Sequence, residues 1–193
     1  MTGMGGPGMT LLLVVLGLVA LARVAELFVA RAHSRGAAGR GERPRPEAIF
    51  VAMVALHASV FVVIPLEVVL LERGFRPWLA GLACAGLLAC GLARAWTLRT
   101  LGARWNVRIV KPDAVVVEGP YRFVRHPNYA IVIVELALLP LLHGAWLSLL
   151  VLGGLNALIL AVRIPAEERV LQTVEGYREA MGGKPRFIPR WGP

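Results

Sequence analysis

Cysteine and histidine are scarce in this 193-residue chain, and their spacing does not suit metal binding. Cys84 and Cys90 are the two cysteines, and they lie six positions apart within one apolar stretch, which places them on different faces of a helix. No CxxC pair accompanies them, so neither a disulfide nor a zinc site is predicted. The four histidines are scattered, at positions His33, His57, His126 and His143. The sequence therefore predicts no metal site.

Acidic residues are also few, 12 against 21 basic ones, and the formal net charge is +9. A basic chain can bind nucleic acid, but these positive residues are divided among loops. No basic helix or aromatic platform is present to follow a phosphate backbone. Membrane orientation and anionic lipid explain the charge better. We expect no nucleic-acid partner.

Hydrophobic residues are abundant, at 57% of the chain with a mean hydropathy of +0.66, which exceeds the needs of a soluble core. The sequence predicts an all-α integral membrane protein with one membrane domain over 1–193. It has five candidate spans of roughly membrane-crossing length, the last two forming a hairpin before a cytoplasmic C-terminal helix and tail. The spans are Met9–Ala30, Ala48–Leu71, Pro77–Leu98, Asn128–Leu142 and Ala145–Arg163.

The first apolar run has an alternative interpretation as a secretory signal, because Ala20, Leu21 and Ala22 form a small-residue pattern typical of cleavage sites. No lysine or arginine precedes the run, however, and it continues to Ala30. We expect a retained span.

Basic residues are concentrated in the 31–47 loop, in 99–126 and from 163 to the end, whereas two lie between spans two and three. By the positive-inside tendency, the N-terminus faces out and the three basic segments face the cytoplasm. We expect the bacterial inner membrane and a cytoplasmic active site.

Two polar residues within the last two spans need an explanation, since a charged side chain in the membrane costs roughly 2.5–3.5 kcal/mol on insertion scales. Glu135 and Asn156 should each lie about 10 Å below the cytoplasmic face, where they could meet across the hairpin. Asn156, Arg163 and Glu167 share one helical stripe that would line a cavity. A hydrogen bond between Glu135 and Asn156 and a role in substrate binding are both open. Glu26 with Arg23, and Glu67 with His57, are expected to be internal pairs or side chains that reach the membrane interface, and no chemical role is assigned to them.

Polar residues crowd the segment 119–129, GPYRFVRHPNY, beside the start of the fourth span. His126 and Pro127 suit the beginning of a helix, because proline fixes the first turn and holds the preceding residue extended. Tyr121, His126 and Tyr129 then lie near a helix N-terminus that can receive a carboxylate or phosphate. A structural cap and a ligand site are the two interpretations, and the density of polar side chains favours the ligand site.

The RHPNY sequence, followed by RIPAEE at 163–168, resembles the isoprenylcysteine carboxyl methyltransferase family of integral membrane enzymes. The likeness covers roughly 101–189, including RWNVRI, GPYR and the terminal PRFIP. It implies an S-adenosylmethionine pocket made by the last two spans and the tail, with a lipid acceptor arriving from the bilayer. Carried over residue by residue, it places the cofactor contacts at Asp113, Ala114, Val115, Val116, Tyr121, His126, Pro127, Asn128, Tyr129 and Glu167. Arg163 matches the acceptor-side arginine, and we expect it to be catalytic and substrate-binding, with Glu135 and Asn156 also facing the substrate.

Within that family, RWN, HPNY and a glutamate in span four resemble the bacterial branch associated with polyketide synthases that make alkylpyrones and phenolic lipids. This resemblance favours a hydroxyl on a long-chain lipid as the acceptor, with a prenylcysteine carboxylate second and a polyketide synthase as a partner in the same pathway. A neutral phenol needs a general base, and Glu135 is the predicted one. Two alternatives stay open: an NADPH-dependent membrane reductase of the sterol-reductase type, and a small transporter or assembly subunit.

Overall fold

The computed structural model describes residues 6–39 and 48–189, and within those ranges the fold is helical, without strands. Short 3₁₀ turns at Gly102–Arg104 and Gly119–Arg122 lie in the long connection between the third and fourth helices. The α-helices are α1 (Pro7–Gly39), α2 (Ala48–Leu70), α3 (Pro77–Leu101), α4 (Pro127–Leu141), α5 (Trp146–Leu171) and α6 (Tyr177–Met181).

Four helices are long and apolar enough to cross a membrane, namely α1, α2, α3 and α5, and α4 is a shorter apolar helix of 15 residues. At 1.5 Å per residue α4 is about 22 Å long, less than a typical hydrocarbon core. The predicted all-α integral membrane fold is thus confirmed, and all five predicted apolar segments are helical. Three helices continue beyond the predicted spans, α1 to Gly39, α3 to Leu101 and α5 to Leu171.

The helices pack in an order that differs from their order in the chain. α4 contacts both α3 and α5, α2 contacts α5, and α1 contacts α2. Leu12, Ile64 and Leu152 lie in the core between them and are almost fully buried. Leucines such as Leu18 and Leu158 are more than half exposed on the outside, as expected for a surface that faces lipid.

The start of α4 forms as the sequence predicts. His126 is the residue before the helix, with φ −127° and ψ 61°, and Pro127 occupies the first helical position. Proline suits that position because it has no backbone N–H to satisfy and its φ is already helical. This geometry places His126 and Tyr129 at the same end of the bundle as the C-terminal end of α5.

At the opposite end of the bundle, Glu67 caps the N-terminus of α5. It accepts hydrogen bonds from the Ser148 backbone N–H at 2.5 Å, the Ser148 hydroxyl at 2.5 Å and Arg73 Nε at 2.9 Å. The interpretation of Glu67 and His57 as an internal pair is not met, because about 15 Å of helix separates the two residues. His57 instead donates from Nδ1 to the Met53 carbonyl oxygen at 2.8 Å.

Candidate active site

The two polar segments, GPYRFVRHPNY at 119–129 and RIPAEE at 163–168, meet at one end of the bundle, where α4 contacts α5. The Tyr129 hydroxyl donates to the Glu167 carboxylate and accepts a hydrogen bond from Arg163 Nε at 2.8 Å. Arg163 Nη2 also donates to the Val107 carbonyl oxygen at 2.5 Å. Tyr129 and Arg163 are both buried, so the phenol fixes a carboxylate and a guanidinium side by side.

Glu168, the next residue along α5, joins a second group of contacts. Arg186 donates to it from Nη2 at 2.7 Å and from Nε at 3.1 Å. His126 Nε2 lies 3.1 Å from Glu168 Oε1, and Arg125 Nη1 lies 3.3 Å from the same oxygen. A carboxylate that accepts several charge-assisted hydrogen bonds is held firmly in one position. Glu168 therefore links α5 to the residues before α4 and to the C-terminal tail.

The tail folds back over the site, as the sequence predicts. The backbone N–H groups of Arg125 and His126 donate to the carbonyl oxygens of Pro185 and Arg186, at 2.9 and 3.0 Å. Lys184 Nζ donates to the Tyr121 carbonyl oxygen at 2.8 Å. These bonds attach residues 184–186 to the GPYRFVRH segment.

The connection after α3 covers the site from the side of α1. His33 Nδ1 donates to the Trp105 carbonyl oxygen at 2.8 Å, and Asn106 Nδ2 donates to the Ser34 hydroxyl at 2.7 Å. The part of α1 beyond the predicted span thus binds the RWN segment and holds it in position.

These elements enclose a cavity of about 530 Å³, within the usual range of about 300–1,000 Å³ for small-molecule sites. Most of the predicted site residues line it together. They are Ala114, Val115, Val116, Tyr121, His126, Asn128, Tyr129, Asn156, Arg163 and Glu167. Burial raises the pKa of Tyr121, so its phenol is a neutral hydrogen-bonding group at physiological pH.

Three predicted site residues do not line this cavity. Asp113 is exposed and accepts a hydrogen bond from Arg104 Nε at 2.6 Å, which lowers the pKa of its carboxyl. Pro127 is buried at the first position of α4 and shapes the turn before the helix. Glu135 is held in ion pairs. In the structure, Asp113 therefore forms a surface ion pair and Pro127 begins a helix, and neither contacts the cavity.

Glu135 belongs to a network of two glutamates and two arginines within the membrane-spanning part. Arg94 Nη2 donates to Glu135 Oε2 at 2.5 Å, and Arg23 Nη2 donates to Glu135 Oε1 at 3.4 Å. Arg23 Nη1 also donates to Glu26 at 2.7 Å, so the predicted pair of Arg23 with Glu26 is confirmed. Arg94 Nη1 donates to Asn128 at 3.1 Å and connects the network to the RHPNY motif. Both oxygens of Glu135 are therefore engaged by arginines.

Of the two interpretations left open for Glu135 and Asn156, the hydrogen bond between them across the hairpin is not formed. Asn156 is 3% exposed, and its amide oxygen has no hydrogen-bond partner among the described residues. The Tyr177 hydroxyl is a second buried polar atom without a partner in the described part of the chain, and it also lines the cavity. Burying such groups is costly unless a ligand or water satisfies them. The cavity wall therefore offers open hydrogen-bonding positions to a polar ligand.

Sequence reasoning did not find several residues of this site. Glu168 is the second glutamate of RIPAEE and Arg186 lies in PRFIP, so the motifs themselves indicate both residues. Arg23, Arg94 and His57 line the cavity from α1, α3 and α2. Their charge or polarity within apolar spans was the available signal, because such residues usually face a partner or a cavity.

A largely apolar cavity with a few polar side chains, at one end of a bundle of membrane-length helices, defines an integral membrane protein with a cavity of small-molecule size. The family comparison agrees with this class. Residues 81–173 match the model of the isoprenylcysteine carboxyl methyltransferase (ICMT) family. An uncharacterized protein of Bacillus subtilis (strain 168), YpbQ, is 36% identical over 152 residues, covering 78% of this chain and 90% of the relative. The chain belongs to the ICMT family, and it is a membrane protein of the isoprenylcysteine methyltransferase type.

Proposed function

We propose that this chain is an integral membrane O-methyltransferase that uses S-adenosylmethionine to methylate a lipophilic acceptor. The observation that supports this most directly is the Tyr129 junction, which holds Glu167 and Arg163 side by side in one cavity wall. A carboxylate favours the ammonium and ribose hydroxyl groups of the donor, whereas a guanidinium favours an anionic oxygen on the acceptor. A carboxylate next to a guanidinium can therefore hold a cationic donor beside an oxygen nucleophile, as methyl transfer requires.

S-adenosylmethionine, when bound, supplies an activated methyl group on a positively charged sulfur. Glu167 would bind its hydrogen-bond donors, and the unpartnered Tyr177 hydroxyl and Asn156 amide oxygen provide further polar contacts. His126 also lines this part of the cavity, and its ring is oriented by Glu168. The apolar segment 114–116 lies alongside and excludes water, which strengthens these contacts.

The acceptor is proposed to occupy the membrane-side part of the cavity, where the wall becomes apolar. Val24 of α1 and Val54 of α2 line it and stay 49% and 41% exposed, so packing does not seal this side. A long apolar chain can occupy the space between α1 and α2 while its polar head reaches Arg163. We favour the hydroxyl of an alkylpyrone or phenolic lipid over a prenylcysteine carboxylate.

We also infer that the motif-bearing end faces the cytoplasm of a bacterial inner membrane. The three basic segments support this orientation, because lysines and arginines accumulate on the cytoplasmic side. The donor would then be drawn from the cytosol and the acceptor from the bilayer.

Incubation of the purified protein with isotopically labelled S-adenosylmethionine and a total bacterial lipid extract tests the function. Mass analysis should find one lipid class that gains about 14 mass units, as expected when methyl replaces hydrogen. A Glu167→Gln protein is the matched control and should label nothing. Labelling that is equal in both proteins, or absent from both, would contradict the proposal.

The competing reductase function is tested by nucleotide binding. The purified protein should bind S-adenosylmethionine and should show no saturable binding of NADPH. Binding of NADPH with the same Glu167 dependence would favour a reductase instead.

A further inference from the structure

A hydroxyl acceptor must lose its proton during methyl transfer, and the motif groups that could take it already have partners, since Glu167 accepts a hydrogen bond from Tyr129 and His126 Nε2 lies 3.1 Å from Glu168. Glu135 is the carboxylate that the sequence suggests, but Arg94 and Arg23 each donate to one of its oxygens. Glu135 also does not line the cavity, so it is not placed to contact an acceptor bound there. A different base is therefore needed if the acceptor is a neutral hydroxyl.

His57 lines the cavity from α2, about 14 Å along the helix from its start at Ala48. Its Nδ1 lies 2.8 Å from the Met53 carbonyl oxygen. A carbonyl oxygen only accepts hydrogen bonds, so Nδ1 carries the proton and the neutral ring has its lone pair at Nε2. The backbone of α2 thus fixes the tautomer that can act as a base through Nε2.

His57 lies in a largely apolar part of the cavity wall. Apolar side chains of Met53 and Phe61 line the same region of the cavity. A neutral imidazole in such a place can accept a proton and later return it to water.

We propose that His57 is the general base that accepts the proton of a neutral phenol or enol hydroxyl on the lipid acceptor. The inference rests on the proposed methyltransferase function and specifies its substrate class. The acceptor O–H bond breaks, its proton moves to Nε2, and the oxygen bonds to the methyl carbon. The bond from that carbon to sulfur breaks with its electron pair remaining on sulfur, which leaves a neutral thioether. The imidazolium then releases its proton to solvent.

The charge balance nearby favours a neutral acceptor over a carboxylate in this part of the cavity. Arg23 and Arg94 are matched by Glu26 and Glu135, with ion pairs of 2.7, 3.4, 3.6 and 2.5 Å. The network has no net charge, so it offers little attraction to an anionic head group. A carboxylate acceptor has already lost its proton, so its methylation needs no base.

The experiment compares His57→Gln with the unaltered protein on three probes: a long-chain phenol, its more acidic nitrophenol counterpart, and a farnesylcysteine derivative with a free carboxylate. Glutamine can accept a hydrogen bond at a similar position but takes no proton. Turnover of the phenol should fall about 100-fold or more. The loss should be smaller for the nitrophenol, and any turnover of the carboxylate should be unchanged. Equal losses on all three probes, or no loss on the phenol, would overturn the assignment.

Two further measurements separate a base from a structural residue. Imidazole added to His57→Ala should restore phenol turnover, and absence of rescue in a folded variant would count against the assignment. Separately, the ring nitrogen signals of ¹⁵N-histidine-labelled protein should change at His57 when the phenol binds. An unchanged His57 signal with bound phenol would contradict direct contact.

His143→Ala is the matched control, because His143 is a buried histidine that contacts Phe75 and lies outside the cavity. It should leave phenol turnover unchanged.

Binding of S-adenosylmethionine distinguishes failure of the proposed function from failure of the His57 assignment. If the unaltered protein does not bind it, the proposed function fails; if it binds and methylates phenol without needing His57, this inference alone fails.

Discussion

Glu168 and Arg186 form an ion pair through two hydrogen bonds, at 2.7 and 3.1 Å, which joins the last long helix to the C-terminal tail. Glu168 is 7% exposed, so the pair is shielded on the carboxylate side. The tail covers the motif residues through this contact and through two backbone bonds from Arg125 and His126. The tail, which lies beyond the family match at 81–173, therefore packs directly against the motif residues.

Glu168→Gln should loosen the tail without unfolding the bundle, because an amide keeps the shape but loses the charge-assisted bonds. Hydrogen exchange at the backbone amides of 125 and 126 should increase, and S-adenosylmethionine should dissociate faster. Glu175→Gln, which changes an exposed glutamate, is the control. Exchange rates that match those of the control would show that Glu168 does not hold the tail.

Tyr129→Phe and Tyr177→Phe should behave differently, although both tyrosines line the cavity. The Tyr129 hydroxyl already bonds Glu167 and Arg163, so its loss should lower both thermal stability and donor affinity. A hydrogen bond to a charged group contributes about 1.5–3 kcal/mol, which corresponds to roughly tenfold or more. The Tyr177 hydroxyl has no partner among the described residues, so its loss should lower affinity alone. Melting temperature and titration calorimetry report the two effects, and a stability loss in Tyr177→Phe would contradict this difference.

Arg94→Met should be strongly destabilising, by about 3–5 kcal/mol, because it leaves Glu135 without its closest partner within the membrane. The double substitution Arg94→Met with Glu135→Met should recover much of that loss, since it removes the unpaired charge. Unfolding in detergent measures both. Additive losses in the double variant would mean that the two residues do not act as a pair.

Gly119→Ala should damage the turn that presents Tyr121. Gly119 has φ +53°, a conformation that costs other residues roughly 1–2 kcal/mol, and an added Cβ would overlap with the Thr100 side chain. Donor affinity and melting temperature should both fall. Gly153→Ala is the control, because nothing lies near its Cβ position in α5, and it should be neutral or stabilising by about 1 kcal/mol. Similar effects at both glycines would rule out the turn explanation.

The sequence was sufficient to locate the apolar helices and the motif end of the site, for physical reasons. Long apolar runs predict spans directly, and the HP pair predicts where α4 begins, because proline restricts both residues. The contact between Tyr129 and Glu167 follows from two polar blocks that bracket a hairpin. Such features depend on local sequence or on chain connectivity.

The partners of the intramembrane charges could not be predicted in the same way. Arg23 and Glu135 are 112 residues apart, and their contact depends on how α1 and α4 are placed around the cavity. Sequence spacing shows which face of its own helix a residue lies on, but it does not show which other helix packs against that face. The sequence therefore leaves open a hydrogen bond between Glu135 and Asn156 of the adjacent helix, whereas the partners of Glu135 lie on α1 and α3.

Titration of S-adenosylmethionine into the purified protein and its Glu167→Gln variant tests the central claim most directly. The unaltered protein should bind one equivalent, Glu175→Gln should bind it equally well, and Glu167→Gln should show no measurable binding while keeping the same helical content. Equal affinity in Glu167→Gln, or no binding by the unaltered protein, would contradict the account.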